Sequence, residues 1–178
     1  MKKSVLLLFF AGCVATGIFG IGRKIPMNRV NDLGQREGYW RDSVGGGFVY
    51  DLYYKGGKKD GLYKRFYRNK LFLFGEYTAD NISGTWYMFG DEGELRCTID
   101  SIEFNKDSIY TGYPCCRIFC KYKCHSIDYY PSGAVKSEGY MVCDEEFEIE
   151  IWEIGEWKYY DESGNLIKTK DYGDRRTP

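Results

Sequence analysis

The chain has 178 residues, the size of one domain, and its 25 basic and 26 acidic side chains nearly cancel, which excludes the clustered cationic footprint of a nucleic-acid binder. Seventeen Tyr, 11 Phe, 4 Trp and 22 Gly stand against ten Leu and four Ala. That balance excludes a helix bundle, which draws on Leu and Ala, and long disorder, which cannot carry so many aromatics; it predicts an all-β protein.

Met1-Lys2-Lys3 is a basic start, and Ser4 to Gly22 carries no charge, the layout of an export signal. Within it, Phe9-Phe10-Ala11-Gly12-Cys13 resembles a bacterial lipobox, which implies that Cys13 is lipidated and becomes the first residue of a membrane-anchored lipoprotein. Two alternatives stay open. One is an ordinary signal cut between Ala15 and Gly22, giving a secreted protein. The other is an uncleaved anchor helix, since nineteen uncharged residues can span a bilayer, although Gly12, Gly17, Gly20 and Gly22 weaken such a helix. Each places residues 25–178 outside the cytoplasm. The sequence thus divides into a signal or anchor (1–22), a linker containing Pro26 (23–31), a repeat domain (32–170) and a polar tail (171–178).

A repeat runs along the domain. Gly84-Thr-Trp86-Tyr-Met-Phe89-Gly-Asp-Glu-Gly93-Glu-Leu95 matches Gly155-Glu-Trp157-Lys-Tyr-Tyr160-Asp-Glu-Ser-Gly164-Asn-Leu166. Counting the first Gly as zero, both have Trp at +2, an aromatic at +5, Gly at +9 and Leu at +11. Gly38 opens a third copy with Trp40, Gly47 and Val49, and Gly61 a fourth with Tyr63 and Phe66 and a turn at Asn69-Lys70-Leu71 one residue shorter. A fifth keeps only its second half, Tyr129-Tyr130-Pro131-Ser132-Gly133-Ala134-Val135. The starts at 38, 61 and 84 are 23 residues apart.

One unit reads as a hairpin. The aromatics lie on its first strand, and the Gly at +9 supplies the positive φ of a type I turn with a bulge. Pairing +5 with +10 would put +2, +4, +11 and +13 on one face, here Trp86, Met88, Leu95 and Cys97, and again Trp157, Tyr159 and Leu166. That face is expected to be the core side, with Phe89 and Tyr160 on the other and with Trp40, Trp86 and Trp157 buried.

Gly-x-Trp-x-x-aromatic-x3-Gly-x-Leu at this spacing resembles MORN repeats, and more closely the bacterial MORN-variant proteins of toxin–antitoxin antitoxin type. In those, Tyr-x-x-Gly-x-Leu is followed by Gly-x-Trp, as in Tyr130 to Val135 and Gly155 to Trp157. The resemblance covers residues 34–97 and 127–168. It implies a single-layer antiparallel meander of about five hairpins with no catalytic role.

Between the copies, Val44-Gly45-Gly46-Gly47 reads as a turn and Leu71 to Phe74 as a short apolar strand. Glu146-Phe147-Glu148-Ile149-Glu150-Ile151 alternates as a half-buried strand does, its glutamates forming a solvated stripe. A cysteine-rich insertion at about 100–126 interrupts the repeat. Without Cys13 six cysteines remain, Cys97, Cys115, Cys116, Cys120, Cys124 and Cys143. An even count in an exported chain reads as disulfides, with free thiols or a zinc site at Cys115-Cys116-x3-Cys120-x3-Cys124-His125 as the alternatives; the spacing departs from the usual Cys-x2-Cys pair, and no metal or cofactor is assigned.

His125, the one histidine, adjoins Cys124, and neighbours on a strand point to opposite faces. The sequence contains no Gly-x-Ser-x-Gly, phosphate loop or His-Glu-x-x-His, so no catalytic residue is assigned. The function expected is a non-enzymatic, envelope-associated scaffold that binds another macromolecule, a protein rather than nucleic acid, and the membrane through its N-terminal segment. An antitoxin or immunity protein, implied by the resemblance, and a small envelope hydrolase are the alternatives.

Overall fold

A computed structural model describes residues 26–106, 110–111, 118–144 and 152–173. It is all-β. In chain order the strands are β1 (Arg29–Val30), β2 (Arg36–Val44), β3 (Phe48–Lys55), β4 (Lys58–Lys59), β5 (Gly61–Tyr67), β6 (Lys70–Thr78), β7 (Asn81–Phe89), β8 (Leu95–Phe104), β9 (Tyr110–Thr111), β10 (Ile118–Phe119), β11 (Tyr122–Tyr129), β12 (Val135–Cys143), β13 (Trp152–Tyr160) and β14 (Leu166–Asp171). All but β9 and β10 join one 12-stranded antiparallel sheet in the order β1-β2-β3-β5-β6-β7-β8-β11-β12-β13-β14, with β4 beside β3. Leaving out β4, β9 and β10, each strand pairs with the next along the chain, as hairpin units in series require, and β2/β3, β5/β6, β7/β8, β11/β12 and β13/β14 are the five units read from the repeat. β9 and β10 form a small separate ribbon. The sheet begins before the linker boundary drawn from the sequence, because Arg29 and Val30 pair with Glu37 and Arg36. It also takes up residues 122–126, counted above with the insertion, since β11 pairs with β8 and β12 along its length.

The turns explain the spacing. Gly90–Glu94, Tyr130–Ala134 and Asp161–Asn165 share two hydrogen bonds: the first amide donates to the fifth carbonyl, and the glycine amide donates to the first carbonyl. Gly93, Gly133 and Gly164 have φ of 85°, 87° and 83°, the left-handed conformation that glycine adopts without strain. Asn31–Gln35 closes in the same way around Gly34, a copy the repeat count passed over. The shorter fourth copy turns at Arg68-Asn69 rather than Asn69-Lys70-Leu71; both residues have positive φ, as a two-residue type I′ turn demands. Residues 45–47 carry the turn from β2 to β3, with Gly46 and Gly47 at φ of 82° and 86°.

The register corrects one expectation. Phe89 pairs with Leu95 and Tyr160 with Leu166, so +5 faces +11, not +10. A bulge follows, and Met88 then pairs with Cys97 and Trp86 with Ile99. The core face is therefore +2, +4, +13 and +15. Leu95 leaves it for the side of Phe89, and Leu166 is 56% exposed. The extra residue of the bulge shifts +11 across the sheet.

Trp86 and Trp157 are buried, at 0% and 4% exposed, as the repeat predicts. Trp40 is not: it is half-buried. Among the described residues only the two residues of β1 lie outside its strand β2, so little of the described chain covers the ring. Arg36 lies over it instead, 4.5 Å from the ring centre, and its Nε1 donates to the Arg29 carbonyl at 3.1 Å. Position +4 of the fourth copy is Arg65, 6% exposed, its guanidinium over Phe48, Tyr50 and Phe72 at 4.4, 5.3 and 5.4 Å. Cation–π contact with these rings favours a cation in this row of aromatics.

Trp86, Ile99, Tyr122, Cys124, Met141 and Trp157 belong to one core cluster with Tyr63, Leu73 and Tyr77. Phe72 on β6 and Trp157 on β13 line the same cavity. Five strand spacings separate them, about 24 Å on a flat sheet. The sheet must therefore curl over its core face, which is how it buries a core with no helix packed on it among the described residues. A smaller cluster of Cys120, Val142 and Ile154 lies apart from this core. The signal or anchor segment, Cys13, Cys115, Cys116 and the expected strand at 146–151 lie outside the described residues. Among the described residues no helix is long and apolar enough to cross a membrane.

Candidate binding surface

A cavity of about 370 Å3 opens on the core face, a volume in the range of ligand sites. The repeat builds it. Met88 comes from +4 of one unit and Trp157 from +2 of another. Each tryptophan is seated by a bulge. Phe74 pairs with Tyr87 and Glu76 with Ser83, so Gly75 stands opposite Gly84-Thr85-Trp86. Likewise Glu138 pairs with Lys158 and Tyr140 with Ile154, which leaves Gly139 opposite Gly155-Glu156-Trp157. A Cβ on Gly75 would fall 2.1 Å from the Trp86 ring, and one on Gly139 2.5 Å from the Trp157 ring. Gly84 and Gly155 serve differently: their φ values are 65° and 61°, and a Cβ at Gly155 meets nothing within 4 Å. One glycine of each pair supplies the backbone turn, and the other supplies the space into which the indole folds. The indole N–H groups are satisfied by backbone, Trp86 donating to Ser83 at 3.1 Å and Trp157 to Tyr140 at 2.7 Å.

Polar groups share the cavity with these rings. Arg96 and Lys136 bring positive charge, Asp128 and Glu153 negative. Ser137 Oγ donates to Asp128 Oδ2 at 2.7 Å, and Cys97 Sγ lies 3.2 Å from Ser126 Oγ. Burial, helped by the nearby Asp128 carboxylate, pushes the Cys97 thiol up to about 12, so it stays protonated and is a poor nucleophile at neutral pH. Beside the cavity Tyr159 and Tyr172 share a 2.7 Å hydrogen bond, and burial, then that bond, raises the Tyr159 phenol.

His125 is on the other face from Cys124, as strand alternation predicts. Its ring packs edge-on against Tyr140, and its Nδ1 is 3.6 Å from Asp100 Oδ1. Cys124 is fully buried in the core, so the two do not form a nucleophile–base pair. Cys97, Cys124 and Cys143 are free thiols. Cys124 and Cys143 approach each other, Sγ to Sγ 3.5 Å. Among the described residues no three His, Cys, Asp or Glu side chains are grouped to hold a metal ion.

Of the residues singled out by the repeat, the structure brings Met88, Phe89, Cys97 and Trp157 to this cavity, whereas Trp40, Gly38 and Gly47 lie at the far end of the sheet. Asp128, Lys136 and Glu153 were missed. The parity of +13 carried a signal for Asp128, because it pairs with Cys97, but the bulge had to be placed first. Compared with known proteins, the chain matches no family model and no curated protein.

Proposed function

We propose that this chain is a non-enzymatic, envelope-associated repeat scaffold of MORN type that binds a protein partner through its core-face cavity. The observation that carries the reading is the lining of that cavity: Phe72, Met88 and Trp157 offer apolar contact, and Arg96, Lys136, Asp128 and Glu153 offer charges of both signs around it. Aromatic anchors ringed by polar groups are what protein interfaces use. The thiol in the cavity is held protonated, and the histidine sits on the other face, so the lining serves contact rather than covalent chemistry.

The N-terminal segment completes the reading: a basic start, an uncharged run and Ala11-Gly12-Cys13 make export and lipidation at Cys13 the arrangement that tethers the scaffold. A diacylated cysteine supplies the two chains that stable anchoring needs.

The test is affinity capture of the full chain from the native envelope, with mass spectrometry of what co-purifies. Lys136→Glu, an exposed position on the rim, is expected to lose the partner that wild type retains. An unchanged set of co-purifying proteins would move the binding surface away from this cavity. Labelled palmitate on wild type and none on Cys13→Ser is the expected result for the anchor.

A further inference from the structure

We propose that Cys124 and Cys143 become joined by a disulfide, tying β11 to β12, when the chain folds in an oxidising compartment. Cys124 pairs across the sheet with Met141 and Cys143 with Tyr122, so the two cysteines are diagonal neighbours on the core face. Diagonal cross-strand neighbours lie about 7–8 Å apart at Cα and somewhat less at Cβ, at the upper end of what a disulfide spans. Here the sulfurs are already in contact at 3.5 Å, and both side chains are fully buried. A bond of about 2.05 Å needs the sulfurs to close by roughly 1.5 Å, through χ1 rotation together with a small approach of β11 and β12, which is available while the hairpin forms.

The other described thiols are engaged elsewhere. Cys97 lies against Ser126 and is opposed by Asp128, four residues along β11 from Cys124. Cys120 belongs to the separate cluster with Val142 and Ile154.

The step is thiol–disulfide exchange with a disulfide oxidant, either oxidised glutathione or a dithiol oxidoreductase. One cysteine thiolate attacks the oxidant's disulfide, and a mixed disulfide forms as one oxidant thiol leaves. The second cysteine thiolate attacks the mixed disulfide, the protein bond forms and the second oxidant thiol leaves. The protein gives up two protons and two electrons, and the oxidant's disulfide becomes two thiols. In the folded sheet neither sulfur reaches solvent, and the contact with Cys124, then burial, raises the Cys143 thiol well above its ordinary value. The exchange therefore belongs to folding, before β11 and β12 close on each other. The bond spans the hairpin that turns at Tyr130–Ala134, and it restricts the unfolded chain more than the folded one. The export reading places the oxidant; the geometry of the pair stands without it.

Trypsin separates the cysteines: 97–106 carries Cys97, 107–117 carries Cys115 and Cys116, 118–121 carries Cys120, 124–136 carries Cys124 and 137–158 carries Cys143. Full-length chain is denatured, reduced, refolded in a glutathione redox buffer, alkylated with N-ethylmaleimide and digested. The expected product is 124–136 linked to 137–158, two hydrogens lighter than the free peptides and separated by reductant. The oxidised protein is expected to melt about 5–10 °C above its reduced form, a difference kept by Cys97→Ser and abolished by Cys143→Ala. Alkylated thiols on both peptides, or either peptide linked to 107–117 instead, would overturn the proposal, and wild type alone reads this if a variant fails to fold. The same digest of protein alkylated directly in cells separates the two readings. The link in both samples supports pair and export together. The link after refolding, with free thiols in cells, upholds the pair and overturns the export.

Discussion

Trp86 and Trp40 follow their glycines by the same two residues, yet one indole is wholly buried and the other only half-buried. Distance from the sheet edge is not the whole reason. Trp157 lies on β13, one strand from the other edge, and is 4% exposed. What Trp86 and Trp157 share is a glycine on the preceding strand, Gly75 or Gly139, beneath the ring. Aromatic neighbours then close over the indole: Tyr63 and Tyr77 at 5.4 and 5.3 Å over Trp86, and Tyr172 at 6.4 Å over Trp157. Trp40 also has an aromatic neighbour, Tyr54 at 6.0 Å, but among the described residues the strand on its outer side is the two-residue β1, which brings no glycine beneath the ring, and Arg36 covers it. The unit sets the local backbone, and the neighbouring strand decides whether its tryptophan becomes core.

The largest expected effect tests that difference directly. Trp86→Ala should cost about 3–5 kcal/mol in urea-induced unfolding, the scale for deleting a buried aromatic. Trp40→Ala should cost roughly 1–2 kcal/mol, since much less apolar area leaves water there. Equal losses would mean that all copies of the motif contribute alike and that the comparison is wrong.

Next in size are the glycines. Gly75→Ala drives a methyl into the Trp86 ring, and Gly139→Ala does the same at Trp157; each should cost about 1–3 kcal/mol by overpacking. Placed in a Trp86→Ala background, Gly75→Ala should add little, because its conflict is with the ring. Gly84→Ala meets only a distant Glu76 side chain but holds φ at 65°, so it should cost about 1–2 kcal/mol from backbone strain, and removing the indole should not relieve that. If the loss at Gly75 is the same with and without Trp86, the glycine is there for the backbone and not for the ring.

Much of this architecture is legible in the sequence because it is written locally. The glycine at +9 and its turn residues fix hairpins at Gly93, Gly133 and Gly164, and hairpins in series give a meander without further information. What was not legible came from interactions between units. The bulge that pairs Phe89 with Leu95 inserts one residue and moves Leu95 off the core face, and a period-2 count cannot see it. The role of Gly75 and Gly139 appears only when β6 is laid against β7 and β12 against β13. The cavity was hidden for the same reason. Its walls come from strands as far apart in the chain as β6 and β13, and only the curl of the sheet brings Phe72 and Trp157 together. The cysteine-rich stretch was over-assigned to an insertion because its aromatics do not fit the repeat, although Tyr122 to Tyr129 alternates buried and half-buried residues over most of its length, as a sheet strand does.

The smallest effect separates the first turn from the last. Asn31 and Asp161 occupy the same position of the same five-residue turn. Asn31 Oδ1 accepts from the amides of Leu33 and Gln35 at 3.0 and 2.9 Å, and Asp161 Oδ1 accepts from Ser163 and Asn165 at 2.9 Å each. One acceptor is neutral and the other titrates. The Asn165 side chain, then the backbone amides, hold the Asp161 carboxyl below its ordinary value of 3.8. A carboxylate depressed in the folded state stabilises at pH values above its unfolded value, and that contribution is lost as pH falls through the lowered folded value. The 161–165 turn should therefore loosen on acidification while the 31–35 turn does not. A carboxyl titration by NMR should place the Asp161 midpoint below 3.8, and Asn165→Ala should raise it towards the ordinary value. Amide exchange at Gly164 and Asn165 should quicken across that midpoint, exchange at Gly34 and Gln35 should not, and Asp161→Asn should make the last turn behave like the first. A midpoint at or above the ordinary value would show that the turn does not favour the charged form, and the two ends of the sheet would then respond to acid alike.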